Sequence, residues 1–213
     1  MLKAAHRLLG EGIAEVILLG SEEDIQSRGR QLGCLLSKAT VIDHEFDKNR
    51  QERYAQTLAM LRQHKGMTMA KARELIADPV YFATMMVQTG DADGMVSGAE
   101  HATADTLRPA LQIIGTKPEV SIASSFFIIL APDTVDNDNP NKLFFFADCG
   151  FVVDPDAKQL AEIGFETAQS AQSFGIDPKV GFLSFSTKGS ASHELLHKVV
   201  EATSHFKERA PDI

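Results

Sequence analysis

The chain has 213 residues, of which 44% are hydrophobic and 23% charged, and its formal net charge at pH 7 is -8. This composition is ordinary for a globular protein, and the length allows one large domain or two small ones. The negative charge argues against general nucleic-acid binding, which requires a basic surface, and no apolar run reaches membrane-spanning length. The start of the chain lacks the pattern of a signal peptide, and Cys34 and Cys149 have no metal-ligand spacing, so a cytoplasmic protein with reduced thiols is expected.

The first third of the sequence alternates predicted helices with short apolar strands. Helices are predicted over residues 1–11, from a Ser21 cap to about residue 33, and over residues 47–64. Strands are predicted at residues 15–19 and 40–43. Continuous apolar strands between helices are typical of a buried parallel sheet, so the sequence predicts an α/β fold.

The next segment is predicted to contain two capped helices and a strand. Thr68 is expected to cap one helix, and Asp78 the next, with Pro79 in its first turn and Gly90 at its end. Residues 94–98 are predicted to form a strand or a strand end.

A further helix is predicted over residues 107–114, with Leu107, Leu111 and Ile114 facing inward. Thr106 is expected to be its cap, because Pro109 would then lie in the first turn, where proline forfeits no hydrogen bond.

The second part of the sequence begins β-rich and ends helical. Its predicted elements are a hairpin of residues 120–130 and 142–147 around a polar turn at 133–141, helices over 154–174 and 193–206, and a strand at 179–185 before a polar loop. A boundary near residues 116–120 divides the chain into an N-terminal α/β domain, residues 1–119, and a second α/β domain, residues 120–213. A sheet that stops after so few strands looks unfinished, so both domains are predicted to be incomplete.

The stretch of residues 86–116 is rich in glycine and small hydroxyl residues, which is typical of a functional loop. Its glycine turns would let backbone N–H groups approach an anion, although a plain turn explains them equally well. Asp91 and Asp93, with one residue between them, could together hold a divalent metal ion, but no further ligands cluster nearby in the sequence. Capping or solvated carboxylates are the favoured interpretation.

Arginine provides the more specific indication of an anion site. Arg108 is predicted near a helix N-terminus beside His101, Thr103 and Thr106, where a guanidinium and free N–H groups together favour phosphate oxygens. A surface salt bridge is the alternative, slightly favoured on the sequence alone. A second basic cluster around Arg62 is predicted at a helix C-terminus, where the helix dipole alone would explain it.

A third candidate is the hydroxyl-rich loop that contains Ser186, Thr187 and Lys188, which lies between a predicted strand and a predicted helix. Ligands of α/β proteins bind at such loops. Capping by Ser192 explains one serine of the run but not the others. Neither cysteine has a basic neighbour in sequence that would activate it, so both are expected to be buried and inert.

Taken together, these segments resemble the phosphate acetyl/butyryltransferase family, and phosphate acetyltransferases in particular. The matching segments are residues 61–68 (LRQHKGMT), 91–98 (DADGMVSG), 101–109 (HATADTLRP), 111–114 (LQII), 147–149 (ADC) and 184–190 (SFSTKGS). They keep their order along essentially the whole chain, which is more specific than any single motif.

The resemblance implies a two-domain, three-layer αβα fold like that of isocitrate and isopropylmalate dehydrogenases, present here incompletely. It also implies acetyl transfer between acetyl phosphate and coenzyme A in a cytoplasmic enzyme that is a homodimer at full length, with no metal, permanent cofactor, nucleic acid or membrane involved.

The resemblance further implies that substrate is bound by residues of the three candidate loops: Arg62, Ser97, Gly98, His101, Thr103, Thr106, Arg108, Ser186, Thr187 and Lys188. The family's catalytic serine–arginine motif and aspartate base would lie beyond Ile213, and its first strand before Leu2. No catalytic residue is therefore expected in the chain, which is predicted to be truncated and to have little or no activity alone.

Two other functions remain open. Related domains fused to malic enzymes are thought to sense acetyl-CoA, and the family also contains phosphate butyryltransferases. The Arg62 and Arg108 patterns favour the enzyme, and residues 103–109 and 111–114 favour its acetyl branch.

Overall fold

A computed structural model of the chain describes residues 1–131, 143–186 and 192–213. The chain divides into two compact units, Met1–Gly115 and Thr116–Ile213. Among the described residues, no helix has both the length and the apolar character needed to cross a bilayer.

The first unit contains six α-helices and a two-stranded parallel sheet among its described residues. In chain order these are α1 (Leu2–Glu11), β1 (Ile17–Leu19), α2 (Glu22–Gln31), β2 (Thr40–Ile42), α3 (Lys48–Leu61), α4 (Met69–Ile76), α5 (Pro79–Thr89) and α6 (Thr103–Ile113). Ile17 lies opposite Thr40, and Leu19 opposite Ile42. The predicted order of helices and strands up to Gly90 is confirmed.

Side-chain caps explain where the first unit's helices begin. The side chains of Ser21, Asp47, Thr68 and Asp78 each accept a backbone N–H from the first turn of the helix that follows. Each cap satisfies a donor that has no partner within its helix, which is worth about 1 kcal/mol. Pro79 opens α5 as predicted, and Gly90 ends it in the left-handed conformation, with φ of 77°.

The core of the first unit forms where α3, α4 and α5 pack together. Tyr54 and Leu58 of α3, Ile76 of α4, and Phe82 and Met85 of α5 are all fully buried. The ring of Tyr54 meets that of Phe82 edge to face, with 5.0 Å between the centroids. This packing fixes the ends of α3 and α5, on which the candidate site is built.

The second unit pairs an antiparallel hairpin with two long helices. Its elements are β3 (Phe126–Leu130), β4 (Leu143–Ala147), α7 (Ala157–Ser173) and α8 (Glu194–Arg209). Phe126 lies opposite Ala147, and Leu130 opposite Leu143, so the predicted hairpin is confirmed; its expected turn, residues 133–141, lies outside the described residues. A core formed by Ala161, Ala168, Ala202 and Phe206 joins the two helices.

Two predicted strands are wrong. Residues 94–98 and 179–185 have no strand structure. Apolar residues in these segments favour a buried strand, yet Val96 is 81% and Leu183 90% exposed. A strand needs a neighbouring backbone with which to pair, and neither segment pairs with a described strand.

The predicted boundaries of α6 are also wrong. The helix starts at Thr103, four residues earlier than expected, with Ala102 rather than Thr106 at the N-cap, so Pro109 lies in its interior. Pro109 and Ile113 are buried, whereas Leu111 and Ile114 are exposed. The buried face of α6 is therefore rotated about the helix axis relative to the predicted one. Packing of the proline ring compensates for the hydrogen bond that its missing N–H cannot make.

Candidate anion-binding site

Arg62 lies directly after α3 and reaches across to the end of α6. Its Nη1 donates to the backbone carbonyl of Gln112, 3.3 Å away and fifty residues later in the chain. That carbonyl is in the last turn of α6, where carbonyls lack intrahelical partners and carry partial negative charge. The Nε of Arg62 is buried and has no hydrogen-bond partner among the described residues. The side chain is therefore held at one end and keeps one donor uncommitted.

Tyr81 of α5 connects to the same residue of α6. Its hydroxyl donates to the side-chain oxygen of Gln112 at 2.9 Å. Burial raises the pKa of Tyr81, whereas the nearby charges of Arg108 and Arg62 act to lower it. Both guanidinium groups are thus close enough to act on one phenol. The structure thus joins Arg62 and Tyr81 through Gln112, which lies one helical turn after Arg108 on α6.

Arg108 lies in the middle of α6, not at its N-terminus as the sequence suggested. Its Nη1 is 3.5 Å from Asp105 one turn earlier, and both side chains are more than half exposed. The predicted alternative, a surface salt bridge, is therefore present. Such a pair contributes at most about 1 kcal/mol, so a dianion can compete with Asp105 for this guanidinium.

The loop before α6 supplies hydroxyl and backbone groups. Thr106 in the first turn of the helix donates to Ser97 over 3.4 Å, which ties the loop to the helix. Gly98 has φ of 107°, a conformation that glycine alone adopts readily. His101 precedes the helix and is half-buried. No side chain among the described residues caps this N-terminus, so the backbone N–H of Thr103 remains available to an anion.

Asp91 anchors the start of this loop to the core. Its carboxylate accepts hydrogen bonds from the buried Tyr54 hydroxyl, from Arg53, and from Thr89 at 3.3 Å. The bond from Tyr54 lowers the pKa of Asp91, with a further contribution from the charge of Arg53. The carboxylate therefore has a structural role, but it is a partly buried acceptor for Tyr54 and Arg53 and not the capping or solvated group that the sequence favours. Asp93 is exposed, and no cluster of metal-binding side chains exists in the part of the chain that the structure describes.

The third candidate loop belongs to the second unit. Ser186 is half-buried; its N–H donates to the Ser184 hydroxyl oxygen, and its carbonyl accepts from the same hydroxyl. Thr187 and Lys188 lie outside the described residues. Cys149 is only half-buried rather than buried, with its Sγ 3.4 Å from the Ser125 hydroxyl, while Cys34 is buried as expected.

Tyr81 and Gln112 were not identified from the sequence as site residues. A signal for Gln112 existed: it follows Arg108 by four positions, so the two share a face of α6. Tyr81 offered no comparable signal, because its contact with Gln112 depends on how α5 packs against α6. The guanidinium of Arg62 lies at the C-terminal end of α6, and the loop hydroxyls and first-turn N–H groups lie at its N-terminal end. Groups of both kinds favour phosphate oxygens.

Comparison with known proteins identifies relatives over the whole chain. A family model described as phosphate acetyl/butaryl transferase matches residues 1–213. A phosphate acetyltransferase of Thermoanaerobacterium thermosaccharolyticum is 48% identical over 217 residues, and one of Acetivibrio thermocellus is 44% identical over 214 residues. Both alignments include the entire chain but only 63% of the relative, so the chain spans less than two thirds of the length of these proteins.

Solved structures give the same result for the fold. The EutD phosphotransacetylase from Staphylococcus aureus matches 99% of the chain with a TM-score of 0.82 and 40% identity, over 61% of its own length. A phosphotransacetylase from Streptococcus pyogenes matches with a TM-score of 0.83, again at 40% identity, over 62% of its length. The α/β fold class predicted from the sequence is confirmed.

Proposed function

Because the chain belongs to the phosphate acetyl/butaryl transferase family, we propose that Arg62 and Arg108 form the phosphate-binding part of a phosphate acetyltransferase site. The enzyme's reaction would transfer an acetyl group between acetyl phosphate and coenzyme A. The observation that carries the proposal is that Arg62 reaches Gln112, one helical turn after Arg108 on α6, with the buried Nε of Arg62 left without a described partner.

The chemistry of the reaction requires such groups. The coenzyme A thiol loses its proton, and its sulfur attacks the acetyl carbonyl; the carbon–oxygen bond to phosphate then breaks, and phosphate leaves with the bonding electrons. Arg62 and Arg108 would neutralise the charge on the phosphate oxygens as that bond breaks, which is electrostatic stabilisation of the transition state. Ser97, Gly98, His101, Thr103 and Thr106 would line the same end of the site. We assign no proton-transfer residue within the chain.

The names of the relatives support acetyl rather than butyryl transfer, since those at 48% and 44% identity are phosphate acetyltransferases. Coenzyme A would be a substrate rather than a resident cofactor. Ser186, Thr187 and Lys188 stay predicted substrate-binding residues, and the homodimer and the cytoplasmic location also stay predictions. Size-exclusion chromatography with light scattering tests the dimer.

Phosphate binding tests the proposed site directly. The side-chain Nε–H signals of ¹⁵N-arginine-labelled chain are followed by NMR during titration with inorganic phosphate and with acetyl phosphate. We expect Arg62→Gln and Arg108→Gln each to weaken binding about tenfold or more, because a hydrogen bond to a charged group is worth about 1.5–3 kcal/mol.

Arg73→Gln is the matched control. Arg73 belongs to the same unit but pairs with Glu52 on the exposed surface, 2.9 Å away, so its loss is expected to leave phosphate binding unchanged. Equal weakening by all three variants, or no binding to the unaltered chain at millimolar phosphate, would contradict the proposal.

A further inference from the structure

Gln112 is held by two helices through two different groups. Its backbone carbonyl accepts from Arg62, which follows α3, and its side-chain oxygen accepts from Tyr81 of α5. Capping of the α6 C-terminus explains the first contact, since a cation is favourable there. It does not explain the second contact, because capping a helix C-terminus satisfies backbone carbonyls, whereas the Tyr81 hydroxyl donates to the side chain of Gln112.

The contact with Tyr81 decides which way the Gln112 amide points. A phenol hydroxyl donates here, so the amide oxygen faces Tyr81 and the NH₂ group points away from it. Gln112 follows Arg108 by one helical turn, so the two side chains are neighbours on the same face of α6. The side-chain amide of Gln112 is thereby fixed one turn from Arg108, while the backbone carbonyl of Gln112 accepts from Arg62.

Rigidity at this point has a direct effect on binding. A free arginine side chain samples many rotamers, and part of this rotamer entropy is lost when it binds a ligand. A side chain that neighbouring groups have already fixed loses less, and the ligand binds more tightly. Arg62 and Arg108 come from different helices, so their separation depends on the contacts that join α3, α5 and α6.

We infer that Tyr81 and Gln112 are positioning residues, which fix Arg62 and Arg108 at the separation required to bind one phosphate group. The inference rests on the proposed function of the two arginines. Tyr81 and Gln112 act through the arginines and need not touch the reacting atoms.

The test compares Tyr81→Phe, Gln112→Met and the double variant with the unaltered chain. Each single change keeps the size of the side chain and removes one half of the Tyr81–Gln112 hydrogen bond. Binding of inorganic phosphate is measured by NMR of the arginine Nε–H signals, with the Arg62 signal identified by its absence in Arg62→Lys. Thermal unfolding is recorded for every variant.

Each single variant is expected to weaken phosphate binding by about three- to tenfold, the usual effect of losing one neutral hydrogen bond. The double variant is expected to bind phosphate no more weakly than the single variant of lower affinity, because both changes break the same hydrogen bond. The Arg62 Nε–H signal is expected to shift in each variant before phosphate is added. A shift of that kind reports on the guanidinium itself, so lowered stability alone would not produce it.

Three results would overturn the inference. Unchanged phosphate affinity in Tyr81→Phe, with or without a lower unfolding temperature, would leave only a structural hydrogen bond. Additive losses in the double variant would show that the two residues act separately. Absence of phosphate binding by the unaltered chain would overturn the proposed function as well, whereas the first two results leave that function standing.

Discussion

Asp91 is expected to contribute more to the stability of the first unit than any other carboxylate in the glycine-rich stretch. In Asp91→Ala the fully buried Tyr54 loses the acceptor of its hydroxyl, and a hydrogen bond to a charged group is worth about 1.5–3 kcal/mol. The ion pair with Arg53 is half exposed and adds at most about 1 kcal/mol. We therefore expect the free energy of unfolding to fall by about 2–4 kcal/mol.

The two tyrosines allow this loss to be measured in one unit alone. The chain contains no tryptophan and two tyrosines, Tyr54 and Tyr81, and both lie in the unit Met1–Gly115. Urea unfolding followed by tyrosine fluorescence thus reports on that unit. Asp93→Ala is the control: this side chain is exposed, and the change is expected to alter stability by less than about 0.5 kcal/mol. Equal effects of the two substitutions would refute the anchoring role of Asp91.

Three further predictions concern pH and packing. The pKa of Asp91 is lowered, so its contribution to stability is fully present above the ordinary value of 3.8 and is lost as the pH falls through the lowered pKa. The urea concentration at the unfolding midpoint of the first unit is therefore expected to decrease once the pH is below about 4. A smaller decrease is expected in Asp91→Asn. Phe82→Ala is expected to cost about 3–5 kcal/mol in the same assay, because this ring is fully buried; a cost below 1 kcal/mol would contradict the packing described. Gly164→Ala places a Cβ 2.8 Å from the Phe182 ring and is expected to lower the unfolding temperature, whereas Gly10→Ala meets open space in α1 and is expected to raise it slightly.

Local signals predicted the first unit well, since its caps are encoded in residues adjacent to each helix. Ser21, Thr68 and Asp78 each stand directly before the helix that they begin. The predictions failed where tertiary packing overrides local sequence preference. Pro109 was placed in a first turn because an interior proline costs a hydrogen bond, yet burial of its ring stabilises it inside α6.

The candidate site was predictable in part. Arg62 and Arg108 are indicated by residue type and by the family resemblance, and their role in binding stays a prediction. The contact of Arg62 with Gln112 was not predictable, because it joins residues fifty positions apart through the packing of helices. Sequence spacing identifies neighbours within one helix; it does not identify a contact between helices.

The β3–β4 hairpin has a consequence for the behaviour of the chain in solution. Phe127, Ile128 and Leu130 expose 58%, 46% and 74% of their surface, so an apolar ribbon faces the solvent. At pH 7 the net charge of -8 keeps molecules apart. Near the isoelectric point of about 5.3 that repulsion vanishes while the ribbon stays apolar, so solubility passes through its minimum there and recovers at more acidic pH, where the molecules repel one another again as cations.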